Sequence, residues 1–112
     1  MKHLALIFAI ALSTATPALG EAGNFALVNG TGSALSELSI RRFGSQQWKS
    51  LGAAPAPGAA ADIAFSDPDC AFDIRATVAG SGSAVWLGVN LCEAKRVTLN
   101  RSSSGELWVD YD

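Results

Sequence analysis

The sequence has little of the chemistry on which most enzymes depend. Its 112 residues include one histidine, His3, and one methionine, Met1. Both lie in an N-terminal stretch with the features of a signal peptide, so we expect the exported chain to retain neither. Without histidine a chain cannot form a Ser-His-Asp triad, a Cys-His dyad or a histidine-bound zinc or copper site. We therefore predict that the protein is not an enzyme and binds no cofactor.

Basic patches and long apolar runs are also missing. Without Lys2 the chain has seven Lys and Arg residues against ten Asp and Glu, a formal net charge of −3 with interspersed signs. This balance argues against nucleic acid or an anionic membrane as a partner. The longest apolar run, Leu4–Leu12, is far shorter than the roughly 20 residues that span a bilayer. We expect no transmembrane segment after signal cleavage.

The first 20 residues are typical of a secretory signal peptide. A basic start at Lys2 is followed by the apolar run and then by small residues ending in Ala18-x-Gly20. No cysteine in this stretch offers a site for a lipid anchor. The sequence thus predicts a signal peptide over residues 1–20, a single domain over residues 21–112, and a periplasmic or secreted location.

The two cysteines predict a structural disulfide. In an oxidising compartment Cys70 and Cys92 are most simply a bridge, whereas a redox-active pair usually has C-x-x-C spacing. The residues between them read as a β-hairpin with its turn at Gly80-Ser81-Gly82. A turn centred on Ser81 sets the two cysteines directly opposite each other, within bonding distance.

The two faces of this hairpin are harder to assign. One face carries Phe72, Ile74 and Trp86. The other carries Asp73 but also four apolar side chains of the second strand: Val85, Leu87, Val89 and Leu91. The second face is too apolar to be simply solvated. Either a β-bulge shifts the register by one residue, or the hairpin is central and covered on both sides. We favour the bulge.

Six further strands are predicted from short alternating segments between Gly-rich turns. A short helix over residues 34–40 is the alternative for the second of them. Eight strands at spacings of about ten residues predict an all-β fold, a small antiparallel β-sandwich with one disulfide. The six segments are Phe25–Asn29, Leu35–Phe43, Gln46–Leu51, Ala59–Phe65, Arg96–Asn100 and Glu106–Tyr111.

Clustered carboxylates form the first candidate site. Asp67, Asp69 and Asp73 could together bind calcium, which takes carboxylate oxygens as ligands. The alternative is turn chemistry, since an Asp beside a proline stabilises a turn through its own side chain. A carboxylate-based hydrolase is a third, weaker hypothesis.

Trp48 is the second candidate. Among three tryptophans it is the one expected to be partly exposed, whereas Trp86 and Trp108 are assigned to core or sheet-edge packing. An exposed tryptophan could stack on a sugar or contact a protein partner. Arg41 and Arg42 could contact an anionic group of a partner. The alternative is that these charged side chains only keep the edge of their strand exposed to water.

The order of several motifs resembles a family of small exported proteins of alphaproteobacteria and relatives. Its members often carry the labels "Tat pathway signal protein" or "argininosuccinate lyase", and the resemblance implies an exported domain without an established activity. The sequence has neither a twin-arginine signal nor the histidines of a lyase site, so neither label is taken as an activity. The motifs are Phe25-x-Leu-Val-Asn-x-Thr-Gly32, Leu38-x-Ile40, Trp48, Cys70-x-x-Asp-Ile-Arg75, Trp86, Asn90-Leu-Cys-Glu93 and Val97-Thr-Leu99.

The sequence therefore predicts an exported binding or envelope-associated module whose partner is an envelope protein or a glycan. A calcium-stabilised extracytoplasmic domain is the first alternative, and the carboxylate hydrolase is the second.

Overall fold

The chain folds into two four-stranded sheets. A computed structural model describes residues 20–112, so the predicted signal peptide lies outside the described residues except for Gly20. The strands are β1 (Phe25–Gly30), β2 (Leu35–Arg42), β3 (Lys49–Gly52), β4 (Ala60–Ile63), β5 (Ala71–Val78), β6 (Gly82–Asn90), β7 (Arg96–Arg101) and β8 (Leu107–Tyr111). The sheets have the orders β4-β1-β7-β8 and β3-β2-β5-β6, which confirms the all-β sandwich. β2 also confirms the predicted second strand against the alternative of a short helix.

One pair of neighbouring strands is parallel, and the other pairs are antiparallel. β1 runs parallel to β7, with Leu27 paired to Val97. Gly30 at the end of β1 has little free space beside it. A Cβ there would lie 2.5 Å from Asn100 Oδ1, 2.8 Å from Thr98 Cγ2 and 3.1 Å from the carbonyl oxygen of Leu99, so a larger residue would have to displace these groups. Within residues 20–112 no helix is long and apolar enough to cross a membrane.

The core lies between the inner faces of the two sheets and follows from strand alternation. One sheet contributes Leu27, Val97 and Leu99, which are fully buried. Trp86 on β6 is buried as well, and its indole N–H donates to the backbone carbonyl of Asn100 on β7 at 2.9 Å. Trp86 therefore ties the two sheets together across the core, in agreement with its predicted packing role.

The β5–β6 hairpin contains the predicted bulge but not the predicted turn centre. The turn is centred on Gly80, with Val78 paired to Gly82, so the register near the turn differs by two residues from one centred on Ser81. The register shifts again between Phe72 and Ile74. The turn of three residues, 79–81 with Gly80 at a φ of 78°, lies one residue earlier than predicted. The bulge recovers one of the two residues by which the register near the turn differs from the one that sets the cysteines opposite each other.

The bulge explains the apolar second face of the hairpin. Phe72 pairs with Val89 and Ile74 with Trp86, so β6 holds one extra residue at Leu87–Gly88. The alternation of β6 is reversed across this point, which buries both Trp86 and Val89. Leu87 is left 65% exposed.

The predicted disulfide closes the open end of this hairpin. Cys70 precedes β5, Cys92 follows β6, and their Cα atoms lie 5.0 Å apart in the bonded pair. The bridge joins two strands that lie side by side in one sheet, so its role is to hold the hairpin.

Candidate functional site

The outer face of the sheet β3-β2-β5-β6 carries a shallow polar groove, here called the Trp48 groove. Strand pairing places Ser39 of β2 between Ser50 of β3 and Arg75 of β5. Trp48, immediately before β3, lies at the same edge. The groove has a volume of about 510 Å³ and is lined chiefly by Glu37, Ser39, Trp48, Ser50, Arg75 and Thr77.

Two guanidinium groups lie against the indole of Trp48. Arg41 Cζ is 4.5 Å from the ring centroid and Arg75 Cζ is 4.0 Å from it. Both distances are within the range of cation–π attraction. Trp48 is half-buried, and its contacts hold the two arginines in place rather than leaving the ring as a bare stacking platform.

Arg41 also forms an ion pair with a buried carboxylate, that of Asp73. Its Nε donates to Asp73 Oδ2 at 2.8 Å, and Asp73 is fully buried. Asp73 accepts two further hydrogen bonds, from the backbone N–H groups of Gly88 at 3.0 Å and Gly44 at 3.4 Å. Burial, the largest influence, acts to raise the pKa of Asp73, but these hydrogen bonds and the Arg41 charge outweigh it and leave the pKa lowered.

Arg75, in contrast, has no carboxylate partner among the residues that the structure describes. Arg75 lines the Trp48 groove, and so does Lys49. Glu37 is the carboxylate of the groove, and it accepts a hydrogen bond from Thr77 Oγ1 at 2.9 Å. Positive charge is therefore in excess at the end of the groove near Arg75.

Ser39 has an unusual environment at the floor of the groove. The residue is 8% exposed, and its Oγ is buried without a hydrogen-bond partner among residues 20–112. A buried hydroxyl without a partner costs about 1–3 kcal/mol, so native structures seldom contain one. The groove floor thus holds a donor and acceptor group that the protein itself does not satisfy.

Backbone irregularities meet at this same position. The register between β2 and β3 shifts at Leu38/Ser39, and the register between β2 and β5 shifts between Ser36 and Ser39. Glu37 has a φ of 52°, which is strained for a residue other than glycine. Bulges and strained residues are enriched at functional sites, and here both border the groove.

The other predicted site residues lie elsewhere. Arg42 pairs with Asp67 at 3.0 Å and Asp69 at 3.3 Å, next to a separate cavity of about 280 Å³. Burial acts to raise the pKa of Asp67, but the N–H of Asp69 and the charge of Arg42 lower it overall. These groups satisfy one another, and the contacts order the turn before β5.

The structure does not assemble the predicted calcium ligands. Asp73 points to Arg41 and two backbone N–H groups, whereas Asp67 and Asp69 face Arg42. In the part of the chain that the structure describes, no three acidic, histidine or cysteine residues are grouped so that they could hold a metal ion. The geometry therefore favours the turn-stabilising alternative for Asp67, whose Oδ1 accepts from Asp69 N–H at 2.8 Å.

Of the predicted contact residues, Trp48 and Arg41 are brought together and Arg42 is not. Sequence reasoning missed Arg75, Ser39 and Glu37. Arg75 belonged to the predicted hairpin, but its neighbour across the sheet depends on which strand pairs with β5. Ser39 carries no signal in the sequence, because an outward serine on a strand is ordinary.

A second exposed surface lies where β6 and β8 meet at the edges of the two sheets. Leu87, Trp108 and Tyr111 are 65%, 46% and 45% exposed there. Tyr111 accepts a hydrogen bond from the backbone N–H of Asn90 at 3.1 Å. This surface is apolar and carries no arginine, so it provides control positions for tests of the Trp48 groove.

Comparisons with known proteins bear on the fold. No protein-family model matches the chain, and no curated protein matches it significantly. The chain is similar to the NMR structure of a protein from Eubacterium rectale, with a TM-score of 0.50 and 18% identity over 80% of this chain and 87% of that one. At this identity the similarity shows the fold alone. The resemblance to exported proteobacterial proteins stays a prediction.

Proposed function

We propose that the protein is an extracytoplasmic binding module that contacts its ligand with the Trp48 groove and has no enzymatic activity. The observation that carries this proposal is the guanidinium of Arg75, which lies 4.0 Å from the Trp48 ring centroid and forms no ion pair with any residue that the structure describes. A ligand that carries an anionic group can pair with this guanidinium in the groove. The disulfide and the predicted signal peptide support an oxidising location outside the cytoplasm.

The groove has the organisation expected of a binding site. Trp48 and Asp73 hold Arg41 from two sides, and Trp48 also holds Arg75. Side chains fixed in this way lose little conformational freedom when a ligand binds, which favours affinity. The groove is open and shallow. This shape suits an extended ligand that lies along the sheet, whereas a small molecule is usually enclosed in a deeper pocket.

The test is a binding assay with envelope material separated into protein, polysaccharide and lipid fractions. The immobilised protein should retain one fraction, and Arg75→Ala and Trp48→Ala should each reduce that retention, because the first removes the unpaired cation and the second removes the ring that holds it.

Trp108→Ala is the matched control, since Trp108 lies on the opposite sheet at the β6–β8 surface. It should retain the same fraction as the wild type. The proposal fails if no fraction is retained, or if the two groove variants retain it as well as the wild type does.

A further inference from the structure

We infer that the ligand of the Trp48 groove is an acidic oligosaccharide, a chain of sugars bearing carboxylates. This inference rests on the proposed function and adds the chemical class of the ligand. It follows from two features of the groove: a guanidinium without a carboxylate partner at one end, and a row of hydroxyl groups with one carboxylate at the other.

The cationic end selects for an anionic group. Arg41 already pairs with Asp73, but Arg75 forms no ion pair with any residue that the structure describes. A guanidinium binds a carboxylate through two parallel hydrogen bonds, and this geometry is both strong and directional. Lys49 on the rim adds a second positive charge. The Arg75 end is therefore suited to a carboxylate.

The other end of the groove selects for hydroxyl groups. Thr77 and Ser83, which pair across β5 and β6, present their hydroxyls there, and the Thr77 hydroxyl already donates to Glu37. Glu37 can accept hydrogen bonds from a pair of neighbouring sugar hydroxyls, but it repels a second anion. A ligand with negative charge throughout does not fit this end, whereas a sugar carries both its hydroxyls and one carboxylate on a single ring.

The size and shape of the groove agree with this class. Its volume of about 510 Å³ and its openness to one side allow a few sugar units to lie along the sheet. The edge of Trp48, half-buried between its arginines, provides apolar surface for the C–H groups of a sugar ring. An acidic peptide offers the charge but not the hydroxyls, so it is the rival ligand that the experiment must exclude.

The experiment compares three probes by calorimetry with the full chain as exported. They are a tetramer of three galactose units with one galacturonic acid at its end, the same tetramer after reduction of its carboxyl group to the neutral sugar, and a tetra-aspartate peptide. The acidic tetramer should bind, the neutral tetramer should bind about tenfold more weakly or not at all, and the peptide should not bind. Higher salt should weaken binding of the acidic tetramer, because the exposed charges are then screened.

Two variants of one residue test the bidentate contact. Arg75→Ala should weaken binding of the acidic tetramer by about tenfold or more, as expected for loss of a charge-assisted hydrogen bond. Arg75→Lys should recover only part of the lost affinity, because lysine keeps the positive charge but cannot form the two parallel hydrogen bonds of a guanidinium. Trp108→Ala should bind as the wild type does.

The outcomes separate this inference from the proposed function. If the neutral tetramer binds as tightly as the acidic one, or the peptide binds best, the ligand class is wrong and the groove can still be a binding site. If none of the probes binds while envelope material is retained through Trp48 and Arg75, the class is wrong in the same way. If the groove variants bind the probes and retain envelope material as well as the wild type does, the proposed function fails too.

Discussion

The backbone N–H of Gly88 donates to Asp73 Oδ1 at 3.0 Å, at the point where β6 holds one residue more than β5. The bulge delivers this N–H to a carboxylate that would otherwise be buried with fewer partners. The same carboxylate holds Arg41, which lies against Trp48. An irregularity in the hairpin thus supports the groove on its outer face.

The first prediction concerns Asp73. Asp73→Ala should lower the free energy of unfolding by about 2–3 kcal/mol, because it leaves the charge of Arg41 and two backbone N–H groups without their partner. Chemical denaturation measures the change. The control is Asp62→Ala, since Asp62 is exposed and its loss should change stability by less than about 0.5 kcal/mol. Equal stabilities for the two variants would contradict this role.

The second prediction concerns pH. The pKa of Asp73 is lowered in the folded protein relative to about 3.9 in the unfolded chain, so the unfolded state binds more protons at acid pH. The contribution of Asp73 is therefore complete above about pH 4–5 and is lost as the pH falls through the folded pKa. Unfolding curves from pH 6 to 2 should show a steeper acid loss for the wild type than for Asp73→Asn. Parallel curves would exclude this contribution.

The third prediction concerns the backbone at the bulge. Gly88 has a φ of 66°, and a Cβ there would meet Phe43 only at an ordinary contact distance of 3.9 Å. Gly88→Ala should therefore be destabilised by conformational strain alone, by about 1–2 kcal/mol. Gly23→Ala is the matched control, because Gly23 lacks a positive φ and a Cβ there meets nothing within 4 Å. A thermal scan in which Gly88→Ala melts no lower than Gly23→Ala would contradict the strain.

The fourth prediction concerns the disulfide. Replacing both Cys70 and Cys92 by serine should cost about 3 kcal/mol of stability, as the chain-entropy model gives for a loop of this length. The wild type in reductant should unfold at the same denaturant concentration as the double variant, and reductant should leave the double variant unchanged. Equal midpoints for the oxidised wild type and the variant would show that the bridge adds no stability.

The sequence predicted well those features that depend on neighbouring residues. The spacing of Cys70 and Cys92, with glycines between them, was enough to predict both the hairpin and its bridge. The alternation of apolar residues predicted the eight strands. The mixed composition of residues 85–91 even indicated the bulge, because no single register could bury those side chains together.

The groove could not be predicted, because it depends on pairing between distant strands. Arg75 meets Trp48 only because β5 pairs with β2, and β2 with β3. A sequence with eight short strands allows many such orders. The predicted turn centre, Ser81 instead of Gly80, is wrong for a related reason. It assumes one uniform ladder from the turn to the cysteines, whereas the bulge shifts the register between Phe72 and Ile74.

The most direct test of the Trp48 groove as the binding surface is an NMR titration that follows the three tryptophan indole N–H signals. Trp48 lies in the groove, and Trp108 lies on the opposite sheet. Trp86 is buried, and its indole N–H donates a hydrogen bond to the backbone carbonyl of Asn100. Titration with the tetramer that carries one terminal galacturonic acid should shift the Trp48 signal, while the signals of Trp86 and Trp108 stay in place. A shift of Trp108 with Trp48 unmoved would contradict the groove as the binding surface.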